Sequence, residues 1–242
     1  MSTNPPATNP GARIDPHNLA RAAVIGAWAL FFTYLLVTGE VARYLGPRTR
    51  WVVPFGMIVL GIAAVAQVGA LRSRAPRRLS VSQALAYAVV VLPLAAVVVV
   101  PAGELGSLAA AKKAPGTGLA SALAFAPPAP GERALSQIDV HYASQAEDYA
   151  REAGIVDGMP LELTGFVTHG DGPAADFRLT RFYISCCAAD AVPYSVSVDA
   201  AGRDFPDDTW LRVAGTLVVA DAGLVLESEL IEEIESPRDP YL

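Results

Sequence analysis

The sequence predicts a protein of two parts: three N-terminal transmembrane helices, then a flexible linker and a C-terminal all-β domain folded as a five-stranded OB-like barrel. Three observations support this fold class. Three apolar runs near the N-terminus contain no charged residue, and a stretch rich in Gly, Ala and Pro follows them. Five short segments separated by turn residues then occupy the C-terminal part, a spacing typical of small closed β-barrels.

The uncharged runs carry most of the apolar character of a chain that is 52% hydrophobic and 17% charged. They are Ala22–Thr38, Trp51–Leu71 and Ala84–Pro101. Each approaches the roughly 20 residues that a helix needs to cross a bilayer core of about 30 Å. Pro54 and Pro93 fit this assignment, because membrane helices tolerate proline where neighbouring groups satisfy the freed carbonyls. We therefore assign residues 1–21 to an N-terminal tail and 22–102 to a three-helix transmembrane region.

Charge is distributed unevenly between the two parts. Residues 1–100 contain nine arginines and two acidic residues, a net charge of +7. Residues 101–242 contain nine basic and 22 acidic residues, a net charge of −13, and the two values sum to the −6 of the whole chain. Because an acidic domain is repelled by phosphate backbones, nucleic-acid binding by the C-terminal part is excluded.

The arginines also predict the orientation in the membrane. Four lie in the short connection between the second and third runs, and three lie between the first and second: Arg72, Arg74, Arg77, Arg78, and Arg43, Arg48, Arg50. The positive-inside rule places the four-arginine connection in the cytoplasm, together with the N-terminus. With three spans, the C-terminal domain is then extracytoplasmic.

The C-terminal part begins with the linker, residues 103–134, whose composition is typical of a flexible tether. Residues 135–242 form the β domain, with a leading helix at Leu135–Ala153. The predicted strands are Leu161–His169, Phe177–Cys186, Tyr194–Asp199, Trp210–Val219 and Leu224–Ile234. Gly165 and Gly215 mark bends of the barrel. A slip in the alternation of the second strand predicts a bulge near Thr180-Arg181.

The candidate site is the pair of adjacent cysteines, Cys186 and Cys187, with Asp190 three positions further on. Adjacent side chains of a continuous strand point to opposite faces, so the two thiols converge only if the strand ends there and turns. Thiolates and a returning carboxylate suit Zn²⁺ or another soft metal ion. A strained vicinal disulfide would instead suit redox chemistry. Packing of the cysteines in the barrel core is the third alternative.

Arg181-Phe182 and Cys186-Cys187-Ala188-Ala189-Asp190-Ala191, together with Gly165-Phe166-Val167 and Trp210–Thr216, carry a family resemblance. The chain resembles the uncharacterised bacterial membrane proteins of YcgQ type, described as permease subunits. The resemblance implies a multi-pass protein of the bacterial plasma membrane. It also implies association with a multi-spanning permease that moves small solutes or metal-related species.

Other side chains are weaker candidates for a functional site than the cysteine pair. Arg181 is expected to support the site through an ion pair with Asp190, whereas His169 is expected in a surface loop too far along the strand to join the cysteines. Aromatic residues at positions 166, 182, 183 and 210 favour core packing over a base-stacking surface. No Ser-His-Asp context, HExxH motif or phosphate-binding glycine loop occurs, which favours a non-enzymatic protein.

These observations lead to two hypotheses. The first is an accessory, non-catalytic subunit of a membrane permease, whose extracytoplasmic barrel binds or senses a soft metal ion or small solute through Cys186, Cys187 and Asp190. The second is a membrane-tethered thiol redox protein that uses the vicinal cysteine pair.

Overall fold

The computed structural model describes residues 13–73, 79–99, 105–113, 125–169, 176–220 and 223–242. The chain divides into two compact units. The first contains Met1–Val41 and Arg50–Ala102, and the second contains Gly103–Leu242 together with the short segment Ala42–Thr49. A segment from between the first two helices therefore belongs to the same unit as the C-terminal domain.

Three long helices form the first unit: α1 (Pro16–Thr38), α2 (Val52–Gly69) and α3 (Val81–Val99). The Asp15 side chain caps α1 by accepting a hydrogen bond from the backbone N–H of His17, and α1 ends at Gly39 in the left-handed conformation. A short 3-10 helix, Glu40–Arg43, follows. Strands β1 (Arg13–Ile14) and β2 (Arg72–Ser73) pair antiparallel, joining the start of α1 to the segment after α2.

Two of these helices, α1 and α2, are long and apolar enough to cross a membrane. Only 6% of the most apolar window of each is buried, so the apolar side chains face outward. In α3 the apolar stretch Val81–Val97 is shorter. Two of the three predicted runs therefore form helices that could span a membrane.

Among the described residues, the second unit contains three short α-helices and five strands. The helices are α4 (Ser107–Lys112), α5 (Gln137–Ala143) and α6 (Glu147–Ala153), so the predicted leading helix is two helices. The strands are β3 (Met159–Thr168), β4 (Phe177–Tyr183), β5 (Val192–Asp199), β6 (Trp210–Ala220) and β7 (Gly223–Glu233).

The five strands close into a barrel in the order β3-β4-β5-β7-β6, which confirms the predicted five-stranded barrel. All neighbouring pairs are antiparallel except β5 and β7, which run parallel. The register of β6 and β7 shifts between Ala214 and Gly215, so Gly215 lies at an irregularity as expected. A Cβ at this position would clash with the carbonyl oxygen of Glu227.

The bulge predicted near Thr180-Arg181 is wrong, because β4 and β5 pair without interruption from Phe177 to Tyr183. The slip in alternation has another cause, which is the presence of two cores. Leu179 packs in the main barrel core, whereas Phe182 packs in a second cluster. This second cluster consists of Phe166, Phe182, Ile184, Ala191, Trp210 and Tyr241. The aromatic residues 166, 182 and 210 are thus buried in a core, as expected.

A carboxylate network holds the leading helices. Asp139 in α5 is fully buried and accepts hydrogen bonds from both terminal nitrogens of Arg133, at 2.6 and 2.7 Å. It also accepts from the N–H and hydroxyl of Ser136 and from the Tyr149 hydroxyl, each at 2.8 Å. Burial alone would raise the pKa of Asp139, but these hydrogen bonds outweigh it and the pKa is lowered.

Candidate functional site

The adjacent cysteines lie just beyond the end of β4. The strand ends at Tyr183, Ile184 is buried in the second core cluster, and the chain then emerges at Ser185 and Cys186. A short 3-10 turn, Ala188–Asp190, reverses the chain before β5 begins. The strand therefore ends and turns at the position that convergence of the two thiols requires.

The side chain of Asp190 closes this turn by hydrogen bonds to the backbone at its start. Its carboxylate accepts hydrogen bonds from the backbone N–H of Ser185 at 3.1 Å and of Cys186 at 2.8 Å. Partial burial opposes ionisation of Asp190, but the hydrogen bonds from Cys186 and from the backbone N–H groups lower its pKa. We use the name cysteine turn for residues Ser185–Asp190.

The two thiols of the cysteine turn are free and their sulfur atoms lie 3.6 Å apart. Cys186 is exposed and Cys187 is half-buried, so the exposed position of Cys186 argues against core packing. The adjacent Asp190 carboxylate, and then the Cys187 thiol, raise the pKa of Cys186 to about 11. A negative charge beside a thiol has this effect because it disfavours a second negative charge.

A second segment of the chain covers the cysteine turn. This covering segment, Ala42–Thr49, comes from the connection between α1 and α2 and contacts the turn through backbone groups and one hydroxyl. The Cys186 carbonyl accepts hydrogen bonds from the Thr49 hydroxyl at 2.6 Å and the Gly46 N–H at 3.2 Å. The Ala188 N–H donates to the Tyr44 carbonyl at 2.9 Å, and Leu45 forms a β-bridge with Cys187.

Close approach of the backbone explains why glycine occupies position 46. A Cβ on Gly46 would lie 2.7 Å from the carbonyl oxygen of Ile184 and 2.9 Å from that of Ser185. Neither carbonyl is a flexible side chain that can move aside. The covering segment is also held by Tyr241, whose hydroxyl donates to the Arg43 carbonyl at 3.0 Å.

The third element at the cysteine turn is the end of α4. The Lys113 ammonium donates to the carbonyl oxygens of Ala188 at 3.4 Å and Ala189 at 3.2 Å. At the other end of α4, the N–H and hydroxyl of Ser107 donate to the Asp208 carboxylate. The cysteine turn thus contains the Asp190 carboxylate and has the Lys113 ammonium beside it, and both groups hold backbone atoms of the turn in place.

The donor set does not form a closed metal site. In the described part of the chain, no group of three or more His, Cys, Asp or Glu side chains is placed to hold a metal ion. Each carboxylate oxygen of Asp190 already accepts a backbone hydrogen bond, so this side chain holds the turn in place. A tetrahedral zinc site would need further ligands from another molecule.

Two other predicted groups have different partners. Arg181 donates to the carbonyl oxygens of Asp239 at 2.7 Å and Pro240 at 3.2 Å, and the expected ion pair with Asp190 is not formed. Burial lowers the pKa of Arg181. His169 lies in a surface loop, as expected from the sequence. Its ring nitrogens are 3.0 Å from the carboxylate of Asp204 and 2.8 Å from that of Asp207.

Sequence reasoning missed the covering segment and Lys113. Their contacts to the cysteine turn join residues that are 75 to 144 positions apart, and no local sequence pattern indicates contacts over such a separation. Gly46-Pro47 was the available signal, since this dipeptide marks a turn in an otherwise short connection.

Comparison with known families gives two matches. Residues 20–115 match the DUF1980 N-terminal domain, and residues 126–242 match the DUF1980 C-terminal domain. No curated protein matches the chain. The helical first unit and the barrel with its cysteine turn therefore correspond to two domains of one uncharacterised family. This chain carries both the N-terminal and the C-terminal domain of DUF1980.

Proposed function

We propose that this chain is a non-enzymatic accessory subunit of a multi-spanning permease, of the YcgQ type that its sequence resembles. The observation that carries the proposal is the outward-facing apolar surface of α1 and α2, of which only 6% is buried in each window. Such a surface requires lipid or other membrane helices around it. The three apolar runs contain no charged residue that would line a transport path, which favours a helper over a transporter.

The covering segment supports the proposed topology. Because α1 and α2 are consecutive spans, their connection emerges on one side of the membrane. Residues 42–49 of that connection bind the cysteine turn, so the barrel is on the same side. The chain reaches that side again only if α3 also crosses. Three spans with an extracytoplasmic barrel and a cytoplasmic N-terminus satisfy both this connectivity and the arginine distribution.

We further interpret the barrel as OB-like. The strand order β3-β4-β5-β7-β6, with its single parallel pair, supports a Greek-key barrel of this type. In the proposed subunit, the cysteine turn is the contact point for a soft metal ion or a small solute on its way to the permease. Two thiols from this chain would be completed by ligands of the permease.

Photo-crosslinking in the membrane tests the partnership. A photoreactive residue replaces Val65, whose side chain is 74% exposed on α2, and the matched control replaces Val53, which is 3% exposed on the same helix. We expect the Val65 variant to crosslink to one polytopic permease and the Val53 variant not to do so. Crosslinks only to lipid, or only to a second copy of this chain, would contradict the accessory-subunit proposal.

The 3.6 Å separation of two free sulfur atoms favours a second candidate, a membrane-tethered thiol redox protein. Oxidation of the pair would release two protons and pass two electrons to an external disulfide. The raised pKa of Cys186, about 11, weighs against it, because the thiolate is the reactive form. Exposure to a glutathione redox series tests it. A vicinal disulfide that forms reversibly would support the redox function, and unchanged thiols would exclude it.

A further inference from the structure

The C-terminal unit has a cavity whose lining includes no residue of the cysteine turn. It has a volume of about 210 Å³ and lies between α5, β4, β5 and the start of β7. Its polar lining consists of Arg178, His141, Ser144, Ser195 and Ser197. No carboxylate lines this cavity among the described residues, although the domain has a net charge of −13.

Arg178 is the notable member of this lining. Its side chain is half-buried and has no hydrogen bond or ion pair with any described residue. Three other arginines of the domain have partners: Arg133 bonds Asp139, Arg181 bonds two carbonyls and Arg212 bonds Glu232. Since a guanidinium offers five N–H donors, a half-buried one without an acceptor indicates a place for an external acceptor.

Hydroxyl groups beside Arg178 extend the donor set. Arg178 and Ser197 are directly opposite each other on β4 and β5, so both side chains leave the same face of the sheet. The Ser197 hydroxyl makes no hydrogen bond to a described residue. Ser195 differs, because its hydroxyl bonds Thr180 at 2.7 Å, and Thr180 in turn bonds Thr168 at 2.7 Å. Ser195 is therefore held in place by this chain of hydroxyls.

We propose that this cavity binds a small oxyanion, with Arg178 as the main ligand and Ser197 as a second donor. The guanidinium fork matches the oxygens of phosphate, sulfate and carboxylate groups. The volume of about 210 Å³ is below the roughly 300–1,000 Å³ typical of sites for drug-sized ligands. The ligand is thus an inorganic oxyanion or a carboxylate of few atoms. This site does not depend on the proposed membrane partnership.

Calorimetric titration of the full chain in detergent tests the proposal. The probes are inorganic phosphate, sulfate and acetate, each at constant ionic strength, with choline chloride as a cation control. We expect one saturable site per chain for at least one of the three anions, and the preferred anion distinguishes an inorganic oxyanion from a carboxylate. Absence of saturable binding for all three anions would overturn the proposal.

Two variants make the assignment residue-specific. Arg178→Gln should weaken binding at least ten-fold, and Ser197→Ala should weaken it several-fold. Arg151→Gln is the matched control, because Arg151 forms an exposed ion pair with Asp148, and it should bind as the original chain does. Thermal unfolding verifies that each variant is folded. If the control and both cavity variants bind the anion with equal affinity, the proposed oxyanion site is wrong. If Arg178→Gln does not fold, the affinity of Ser197→Ala alone tests the site.

Discussion

Two aspartates of the C-terminal unit each close a turn by accepting N–H hydrogen bonds, but their surroundings differ. Asp139 is fully buried and its partners are an arginine, a serine and a tyrosine, all within 2.8 Å. Asp190 is exposed and holds backbone N–H groups beside two free thiols. The comparison shows two uses of the same motif. The enclosed network around Asp139 stabilises the fold, whereas the open one around Asp190 leaves reactive thiols accessible.

The largest expected effect comes from breaking the enclosed network. Asp139→Asn should lower the free energy of unfolding by about 3 kcal/mol, the low end for a broken buried pair, because Arg133 is partly exposed. Chemical denaturation measures it. Asp148→Asn is the control, since its exposed pair with Arg151 contributes at most about 1 kcal/mol. Equal losses for the two variants would remove the distinction between enclosed and open carboxylates.

The same network predicts a direction of pH dependence. The pKa of Asp139 is lowered in the folded chain, so its contribution to stability is complete above the ordinary carboxyl pKa. The contribution is lost as the pH falls through the lowered value. Acid unfolding of Asp139→Asn should therefore be less steep than that of the original chain, as followed by circular dichroism between neutral and strongly acidic pH.

Next in size is the effect of separating the covering segment from the cysteine turn. Gly46→Ala introduces a Cβ within 3 Å of two backbone carbonyls and should cost about 1–3 kcal/mol, as overpacking usually does. Cys187 should also become several-fold more reactive toward a maleimide. Gly61→Ala is the control, because no atom lies within 4 Å of the added Cβ. An unchanged Cys187 reactivity in Gly46→Ala would show that the segment does not cover the turn.

A smaller effect, on the pKa of Cys186, should follow from replacing the open carboxylate, Asp190, by an uncharged amide. Asp190→Asn removes the main cause of the raised pKa of Cys186, which should fall from about 11 toward its ordinary value. The pH dependence of alkylation at Cys186, measured in a Cys187→Ser background, reports this shift. A midpoint that stays near 11 without Asp190 would contradict the account of the cysteine turn.

The smallest effect concerns the loop that holds His169. Its hydrogen bond with Asp207 and the second carboxylate, Asp204, raise its pKa against a small opposing effect of burial. The contribution to stability is therefore present below pH about 6.5 and is lost as the pH rises through the raised value. Because the groups are largely exposed, we expect less than about 1 kcal/mol. His169→Gln should abolish this pH dependence of the unfolding midpoint.

Local patterns predicted much of the barrel. The five strands were located from alternation and turn residues, and the predicted start of β4 at Phe177 and of β6 at Trp210 match the structure. The predicted second strand extends to Cys186, whereas β4 ends at Tyr183, and the turn that follows brings Asp190 back to the N–H of Cys186. Alternation failed in β4 because it assumes one buried face, whereas Phe182 enters a second core.

Long-range pairings could not be predicted in the same way. The choice of Asp239 and Pro240 as partners of Arg181 depends on where the C-terminal segment returns to β4. Likewise, the contact of Thr49 with Cys186 joins two parts of the chain 137 positions apart. A turn dipeptide such as Gly46-Pro47 marks the segment but does not identify its partner, because each of these contacts depends on the closed barrel being formed first.

The central claim is that the barrel is an extracytoplasmic part of a membrane subunit, and the side of the membrane that carries Cys186 tests it most directly. Intact cells are treated with a membrane-impermeant maleimide at mildly alkaline pH. The control is Ser80→Cys in a background without the native cysteines, since residue 80 lies in the predicted cytoplasmic connection. The account predicts that Cys186 is labelled in intact cells and that position 80 is labelled only after permeabilisation. The reverse pattern would contradict it.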